Sequence, residues 1–178
     1  MKYIALLRAI NVGGRNVKMA ALREQFAALG FSNVETFIAS GNVIFNSPAT
    51  PASLKRAIEN RLASSLGFTV DTFIRTPQQI KSIADHPAFA AASIASAGAY
   101  CVGFLDAPLD DAQRAILTKM KTDNDNFHLN GSEVYWLCQV KQSDSTFNNA
   151  KFERALNIRA TFRSINTVAK LGAQCCTP

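Results

Sequence analysis

Two stripes of apolar residues at helical spacing, set among four short β-prone runs within the first 75 residues, constrain this chain more than any other feature. Lys2 to Ile10 is apolar and β-branched enough for a buried strand. After the glycine-containing loop Asn11 to Asn16, Met19, Leu22, Phe26 and Leu29 recur at helical spacing, which predicts a helix over 18–29. Gly30 ends it, as a residue able to take positive φ should. Val34 to Ile38 reads as a strand, Ser40-Gly41-Asn42 as a turn and Val43 to Phe45 as the next strand. Thr50-Pro51 then opens a second helix, with Thr at the N-cap and Pro at the first helical position. Leu54, Ile58 and Leu62 form its buried stripe, Gly67 ends it, and Thr69 to Ile74 is a strand. The order is βαββαβ, the split-βαβ or ferredoxin-like arrangement. Leu29-Gly30-Phe31 before Val34-Glu35-Thr36-Phe37-Ile38 is echoed by Leu66-Gly67-Phe68 before Val70-Asp71-Thr72-Phe73-Ile74, as two βαβ-type halves would show.

The remainder reads α-β-α-β-β-α-α. Thr76-Pro77-Gln78-Gln79 is a helix opening with Gln79 placed for a capping box, and that helix ends before His86-Pro87. Residues 88–105 carry no charge and have the length of a short membrane span. Most of them are Ala, Ser and Gly, which gain little from lipid, so they parse as a loop followed by a strand over Tyr100–Leu105. A helix follows over 110–121, with acids at its start and Lys119 and Lys121 at its end, as the helix dipole favours. Asn130-Gly131 between two apolar runs predicts a type I′ hairpin, and short helices are expected near 148–156 and 163–171. The chain therefore reads as α+β: a βαββαβ unit over 1–75 packed against a second, smaller α+β unit over 76–178, with the last few residues disordered.

A chain of 178 residues with 48% hydrophobic and 18% charged residues can bury a full core without disulfides or metals. No secretion signal is evident, since the apolar run Ile4–Leu7 is cut off by Arg8. The four cysteines form no framework. Cys101 and Cys138 fall in strands, Cys175 and Cys176 are adjacent in the tail, and no C-x-x-C occurs. A reducing cytoplasm is the expected compartment.

The net charge of +6 is unevenly spread. Lys2, Arg8, Arg15, Lys18 and Arg23 stand in the first 23 residues without an acid. Lys151, Arg154, Arg159, Arg163 and Lys170 stand against Glu153 alone after residue 150, and the middle is net acidic. If the ends meet, they make a basic face for an anionic partner; otherwise these are solvated charges. In a βαββαβ sheet the end of strand one and the turn between strands two and three share an edge. This places Asn11, Gly13, Gly14 and Asn16 beside Ser40, Gly41 and Asn42, with Arg8 or Arg15 supplying charge. Glycine lets backbone N–H groups approach a ligand, and helix N-termini attract phosphate or carboxylate. The competing reading is that these Asn and Gly residues build tight turns and satisfy their own backbone. The loop lacks both the Walker A pattern and the G-x-G-x-x-G fingerprint.

Chemistry elsewhere is sparse. The two histidines, His86 and His128, have no His or Cys at ligand spacing, so no metal site is read. No nucleophile elbow occurs, and the sequence leaves any cofactor unknown. An RNA-binding reading through stacking has only Tyr3 and Phe45 to offer, and strand three lacks the basic and aromatic RNP1 pattern.

At this point the residues resemble a known family. Ala5-Leu6-Leu7-Arg8-Ala9-Ile10-Asn11-Val12-Gly13-Gly14, then Met19 and Leu22, Leu29-Gly30-Phe31 and Ser40-Gly41-Asn42-Val43-Ile44-Phe45 resemble the domain-of-unknown-function 1697 family of mainly bacterial proteins. The family pattern has Gly where this chain has Ala9, and Gln at Ala39. Near the C-terminus it shows Thr-x-Arg-Asn-Trp-x-Thr-Val-x-Lys-Leu, whereas this chain has Ser164 and Ile165 in place of Asn and Trp. The resemblance implies a compact α+β fold with a ferredoxin-like part, and no established activity. Its two signature segments, Arg8–Gly14 and Arg163–Lys170, are those that hold the excess charge. The leading expectation is that they meet and bind a small anionic ligand, a nucleotide or a phosphorylated or carboxylated metabolite, with Arg163 clamping it through two N–H groups. The alternatives are non-sequence-specific nucleic-acid binding, an enzyme acting on such a ligand, and a protein-interaction module.

Overall fold

The computed structural model of the protein describes residues 1–12, 14, 16–38 and 41–175. It is an α+β fold built on two four-stranded antiparallel sheets. The backbone clusters into two compact units, Met1–Lys81 with the chain from Leu171 onward, and Ser82–Lys170.

In the first unit β1 (Lys2–Leu7), α1 (Met19–Ala27), β2 (Ser32–Phe37), β3 (Asn42–Asn46), α2 (Pro51–Leu66) and β4 (Thr72–Arg75) follow one another, with sheet order β2-β3-β1-β4. Strand β1 is central and antiparallel to both neighbours, with Leu6 opposite Asn42 and Leu7 opposite Thr72. The predicted helical stripes face the sheet. Leu22 and Phe26 from α1 and Leu54, Ile58 and Leu62 from α2 are buried with Tyr3, Ala5, Leu7, Val43 and Phe45. Each such side chain removed from water contributes about 1.5–3 kcal/mol. Phe26 meets Phe45 edge-on with centroids 5.4 Å apart, and Phe31 stacks on Phe45 at 4.6 Å. Tyr3 and Phe45, the two rings that offered base stacking, are therefore core residues. Tyr3 reaches a polar partner by donating its hydroxyl to the Ala49 carbonyl at 3.0 Å.

Strand β2 carries one extra residue between Ser32 and Glu35 relative to β3, and Asn33 takes φ 52° there. Beyond β4, α3 (Pro77–Asp85) opens with the predicted capping box. Gln79 Oε1 accepts the Thr76 N–H at 2.8 Å, and Thr76 Oγ1 accepts the Gln79 N–H at 3.2 Å.

The second unit contains α4 (Ala91–Ala95), β5 (Ala99–Phe104), α5 (Asp111–Lys119), β6 (Asp125–Asn130), β7 (Glu133–Cys138), α6 (Asn149–Leu156) and β8 (Thr161–Ser164), and α7 (Ile165–Cys175) ends the described chain. Its sheet order is β6-β7-β5-β8. Counted from β5, this is the βαββαβ order and strand permutation of the first unit. The small details repeat too. The residue after or ending the first strand donates its N–H to the hairpin turn in both units, Leu7 to Gly41 O at 2.8 Å and Leu105 to Ser132 O at 2.9 Å. A helix glutamate accepts a backbone N–H at the entry to the last strand in both, Glu59 Oε1 from Thr72 at 2.9 Å and Glu153 Oε1 from Ala160 at 2.8 Å. Both second helices end in a left-handed residue, Gly67 at φ 75° and Asn157 at φ 52°.

Four expectations need correction. The first strand ends at Leu7, short of the expected Ile10. The second unit has four strands, because β8 precedes the last helix, which starts at Ile165 rather than Arg163. The uncharged stretch includes the short helix α4. The β6–β7 turn is a two-residue Gly131–Ser132 loop, since Asn130 still pairs with Glu133. Only Gly131 is left-handed, at φ 58°, whereas a type I′ turn requires positive φ at both central positions. No helix among the described residues is long and apolar enough to cross a membrane.

The chain bends at two places where backbone and space conflict. A Cβ on Gly41, at φ 77°, would lie 2.6 Å from Ile10 Cγ2 and 3.2 Å from Leu7 Cβ. Ala9 takes φ 54° where the family pattern has glycine. Gly41→Ala is expected to destabilise the protein by about 2–4 kcal/mol, and Ala9→Gly to stabilise it by about 0.5–1 kcal/mol, both read from urea midpoints at constant m-value.

Candidate functional site

The β1–α1 loop and the β2–β3 turn share one edge of the first sheet, as the topology requires: Leu7 N–H donates to Gly41 O at 2.8 Å. The side chains at this edge are partly committed. Asn11 closes its own loop, with Oδ1 accepting the Val17 N–H at 2.7 Å and Nδ2 donating to Val17 O at 3.4 Å. Asn42 is fully buried and donates Nδ2 to the Phe37 carbonyl at 3.1 Å, tying off the hairpin. Arg8 faces Asp71, with Nη1 3.5 Å from Oδ2, and the backbone bond from Arg8 N–H to Asp71 O at 2.9 Å holds the two segments together. Both side chains of that pair are about one-third exposed, so the pair is worth about 0–1 kcal/mol. Gly14, Asn16 and Lys18 are exposed, and Gly14 is left-handed at φ 84°. Gly13, Arg15, Ala39, Ser40 and Cys176, with the expected disordered tail, lie outside the described residues.

Helix α1 starts here, with Lys18 at its N-cap. No side chain caps it, and no acid stands in its first turn. The contrast is with α2, α5 and α6, whose first turns are capped by Thr50, Asp110 and Asn148. Two non-glycine residues are left-handed at the same edge, Ala9 at φ 54° and the exposed Ile38 at φ 49°. A β-branched residue at positive φ is an outlier that its surroundings must hold in place.

Arg163 and Lys170 belong to the second unit. Arg163 sits on β8 opposite Val102, is 9% exposed, and donates Nη1 to Thr161 Oγ1 at 2.8 Å and to Phe162 O at 2.9 Å. Burial draws its guanidinium down to about 10, which leaves it charged at neutral pH. Lys170 is exposed on α7.

A second cluster has no counterpart in the sequence reading. His86, after α3, and His128, on β6, are the only histidines of the chain and meet with Nε2 atoms 3.0 Å apart. Their spacing of 42 residues is unlike any local ligand motif, so only the fold reveals it. Tyr135 packs 5.1 Å from the His86 ring and 6.1 Å from the His128 ring, and its hydroxyl donates to Ile83 O at 3.0 Å. Phe89 lies 6.3 Å from His128 and 5.7 Å from Tyr100. In the neutral pair one Nε2 donates and the other accepts. Burial, reinforced by His86 and then Lys121, holds the His128 imidazole below its usual 6.5. Across the sheet, Asp125 is buried. Burial alone would raise its carboxyl, but bonds from Ser145 Oγ at 2.7 Å, Trp136 Nε1 at 2.8 Å and Thr122 Oγ1 at 3.0 Å outweigh that and lower it. Burial also pushes the Cys101 thiol up to about 11, an inert core thiol rather than a nucleophile.

The profile of a family described as "Protein of unknown function (DUF1697)" matches residues 1–135. The chain belongs to this family. No curated protein matches it. Among solved structures it is similar to a conserved bacterial protein, SP0830 from Streptococcus pneumoniae. The two share 22% identity, with a TM-score of 0.74 over 99% of this chain and 98% of that one. Neither the family description nor that structure carries an established activity. At that identity the likeness speaks for the fold, which the two chains share over almost their whole lengths.

Because the native state holds His128 neutral, the unfolded chain takes up a proton first as pH falls below 6.5. The stability from the neutral imidazole is complete above that value and is lost as pH falls from it toward the lower folded pKa. The urea midpoint is expected to decline as pH falls through and below 6.5, and His128→Asn to flatten that part of the profile. A profile that His128→Asn leaves unchanged in this window would contradict the assignment.

Proposed function

We propose that the first unit binds a small anionic ligand at the edge formed by the β1–α1 loop and the β2–β3 turn. The observation that carries this reading is the start of α1, the one α-helix of its unit's βαββαβ core without a side-chain cap, with Lys18 at the N-cap and no acid in the first turn. A helix N-terminus presents N–H groups and about half a positive charge, and phosphate or carboxylate is its natural partner. Arg8 adds a guanidinium at the root of the same loop, and exposed Gly14 and Asn16 offer backbone and amide donors. The left-handed Ala9 and Ile38 support the reading in a different way, because strain of this kind gathers at ligand sites. The two asparagines Asn11 and Asn42 act as frame, fixing loop and turn. The ligand class is a nucleotide or a phosphorylated or carboxylated metabolite, and the expected compartment is the cytoplasm.

The test is a thermal-shift panel of nucleotides, sugar phosphates and dicarboxylates at low and moderate salt, with Lys18→Glu alongside. A ligand at about 100 times its Kd adds about 2.7 kcal/mol, a rise on the order of 5–10 °C for a chain of this size. Lys18→Glu is expected to preserve the unliganded Tm, because a carboxylate suits a helix N-terminus, and to abolish the shift. A shift that survives Lys18→Glu would remove the site from this edge. Shifts confined to oligonucleotides and lost steeply with salt would replace the small ligand by a nucleic-acid backbone.

A further inference from the structure

We propose that His86 and His128 form a binding site for one divalent late first-row metal ion, with Ni2+ and Zn2+ as ligands of the right chemistry. The two Nε2 atoms point at one another 3.0 Å apart, from the segment after α3 and from strand β6. Two nitrogens each about 2.05 Å from one ion stand about 2.9 Å apart at a right angle and about 3.3 Å apart at the tetrahedral angle. The observed separation lies between these values, so the nitrogens part by at most a few tenths of an ångström, and each ring tilts to turn its lone pair from the other nitrogen toward the ion. Imidazole nitrogen suits Zn2+, Ni2+ and Cu2+, whereas Mg2+ and Ca2+ require oxygen ligands that this pair does not offer.

The surroundings hold the rings in place. Tyr135 packs against both imidazoles and is itself pinned by its bond to Ile83 O, while Phe89 meets His128 edge-on with centroids 6.3 Å apart. His86 is followed by Pro87, which restricts its backbone, and His128 is fixed by the β6–β7 register opposite Tyr135. Both histidines are half-buried, so the pair is framed yet reachable from solvent. Among the described residues no group of three or more His, Cys, Asp or Glu converges on an ion. The remaining coordination positions are therefore taken by water, which makes an open, exchangeable site rather than a closed structural one. The proton balance is simple. One Nε2 of the neutral pair carries a hydrogen, and ligation needs lone pairs on both. That hydrogen moves to Nδ1 of the same ring, and the neutral pair releases no net proton.

The test titrates Ni2+ and Zn2+ separately into the full chain by calorimetry at about pH 7.5, above the ordinary imidazole range, in a non-coordinating buffer, with Mg2+ as control. One ion per chain is expected for Ni2+ and Zn2+ and none for Mg2+, with affinity weakened at least about tenfold by His86→Ala or by His128→Ala. Because the chain has two histidines, imidazole 15N spectra of the unsubstituted protein give a reading independent of how the variants fold. Both histidine signals should move together at one equivalent of Zn2+. No movement, movement of one histidine alone, or binding that survives both substitutions overturns the site and leaves a pair that only shares a proton.

Discussion

Strand β1 is buried along nearly its whole length between β3 and β4, and the Leu7 N–H is held by the Gly41 carbonyl at 2.8 Å. Much at the candidate edge depends on that bond. It sets where the β2–β3 turn stands relative to the loop that follows, and it packs Gly41 so closely on Ile10 and Leu7 that no Cβ fits. One residue further on, Arg8 gives its N–H to Asp71, and at Ala9 the backbone turns left-handed. The strand therefore stops at Leu7 although Ala9 and Ile10 are apolar enough to continue it. Ile10 is still buried, in the core against α1 and α2. Apolar composition reports burial here, and the ladder bond reports where the strand ends.

The same arrangement occurs twice. A first-strand bond to the hairpin turn, a helix glutamate on the entry to the last strand and a left-handed stop after the second helix recur in a unit of different sequence. These are the points where a βαββαβ chain must satisfy backbone groups that neither helix nor sheet can reach. Their recurrence marks them as requirements of the topology. What differs is the dressing. The first unit's α1 starts without a cap, whereas α5 starts with an Asp110–Gln113 capping box. The first turn of α5 is thus satisfied by its own side chains, whereas α1 begins with none.

Much of the first unit was legible because its signals are local. Helical stripes, the Thr50-Pro51 start and the Gly67 stop each read within a few residues, and the Thr76–Gln79 capping box is present as read. The second unit was less legible where the decisive partner is distant. Thr161–Ser164 has no strand pattern of its own and becomes β8 by pairing with β5, some sixty residues earlier in the chain. The uncharged Ala-rich run hides α4 because nothing in it signals a start. At the candidate site, chain order placed the loop beside the turn, but it did not reveal that Asn11 and Asn42 spend their amides on the backbone. His86 and His128 looked like isolated residues because only the crossing of a loop with an edge strand joins them.

Strand β2 is outermost in its sheet, pairing with β3 alone. An outermost strand offers a row of backbone donors and acceptors on which a second chain can crystallise one-dimensionally, molecule after molecule. The extra residue between Ser32 and Glu35, with Asn33 turned to φ 52°, breaks the even spacing of that row. An incoming strand that matches the donors on one side of the bulge is out of step on the other. What registers locally as an irregular pairing thus acts, at the scale of many molecules, as a barrier to fibre growth.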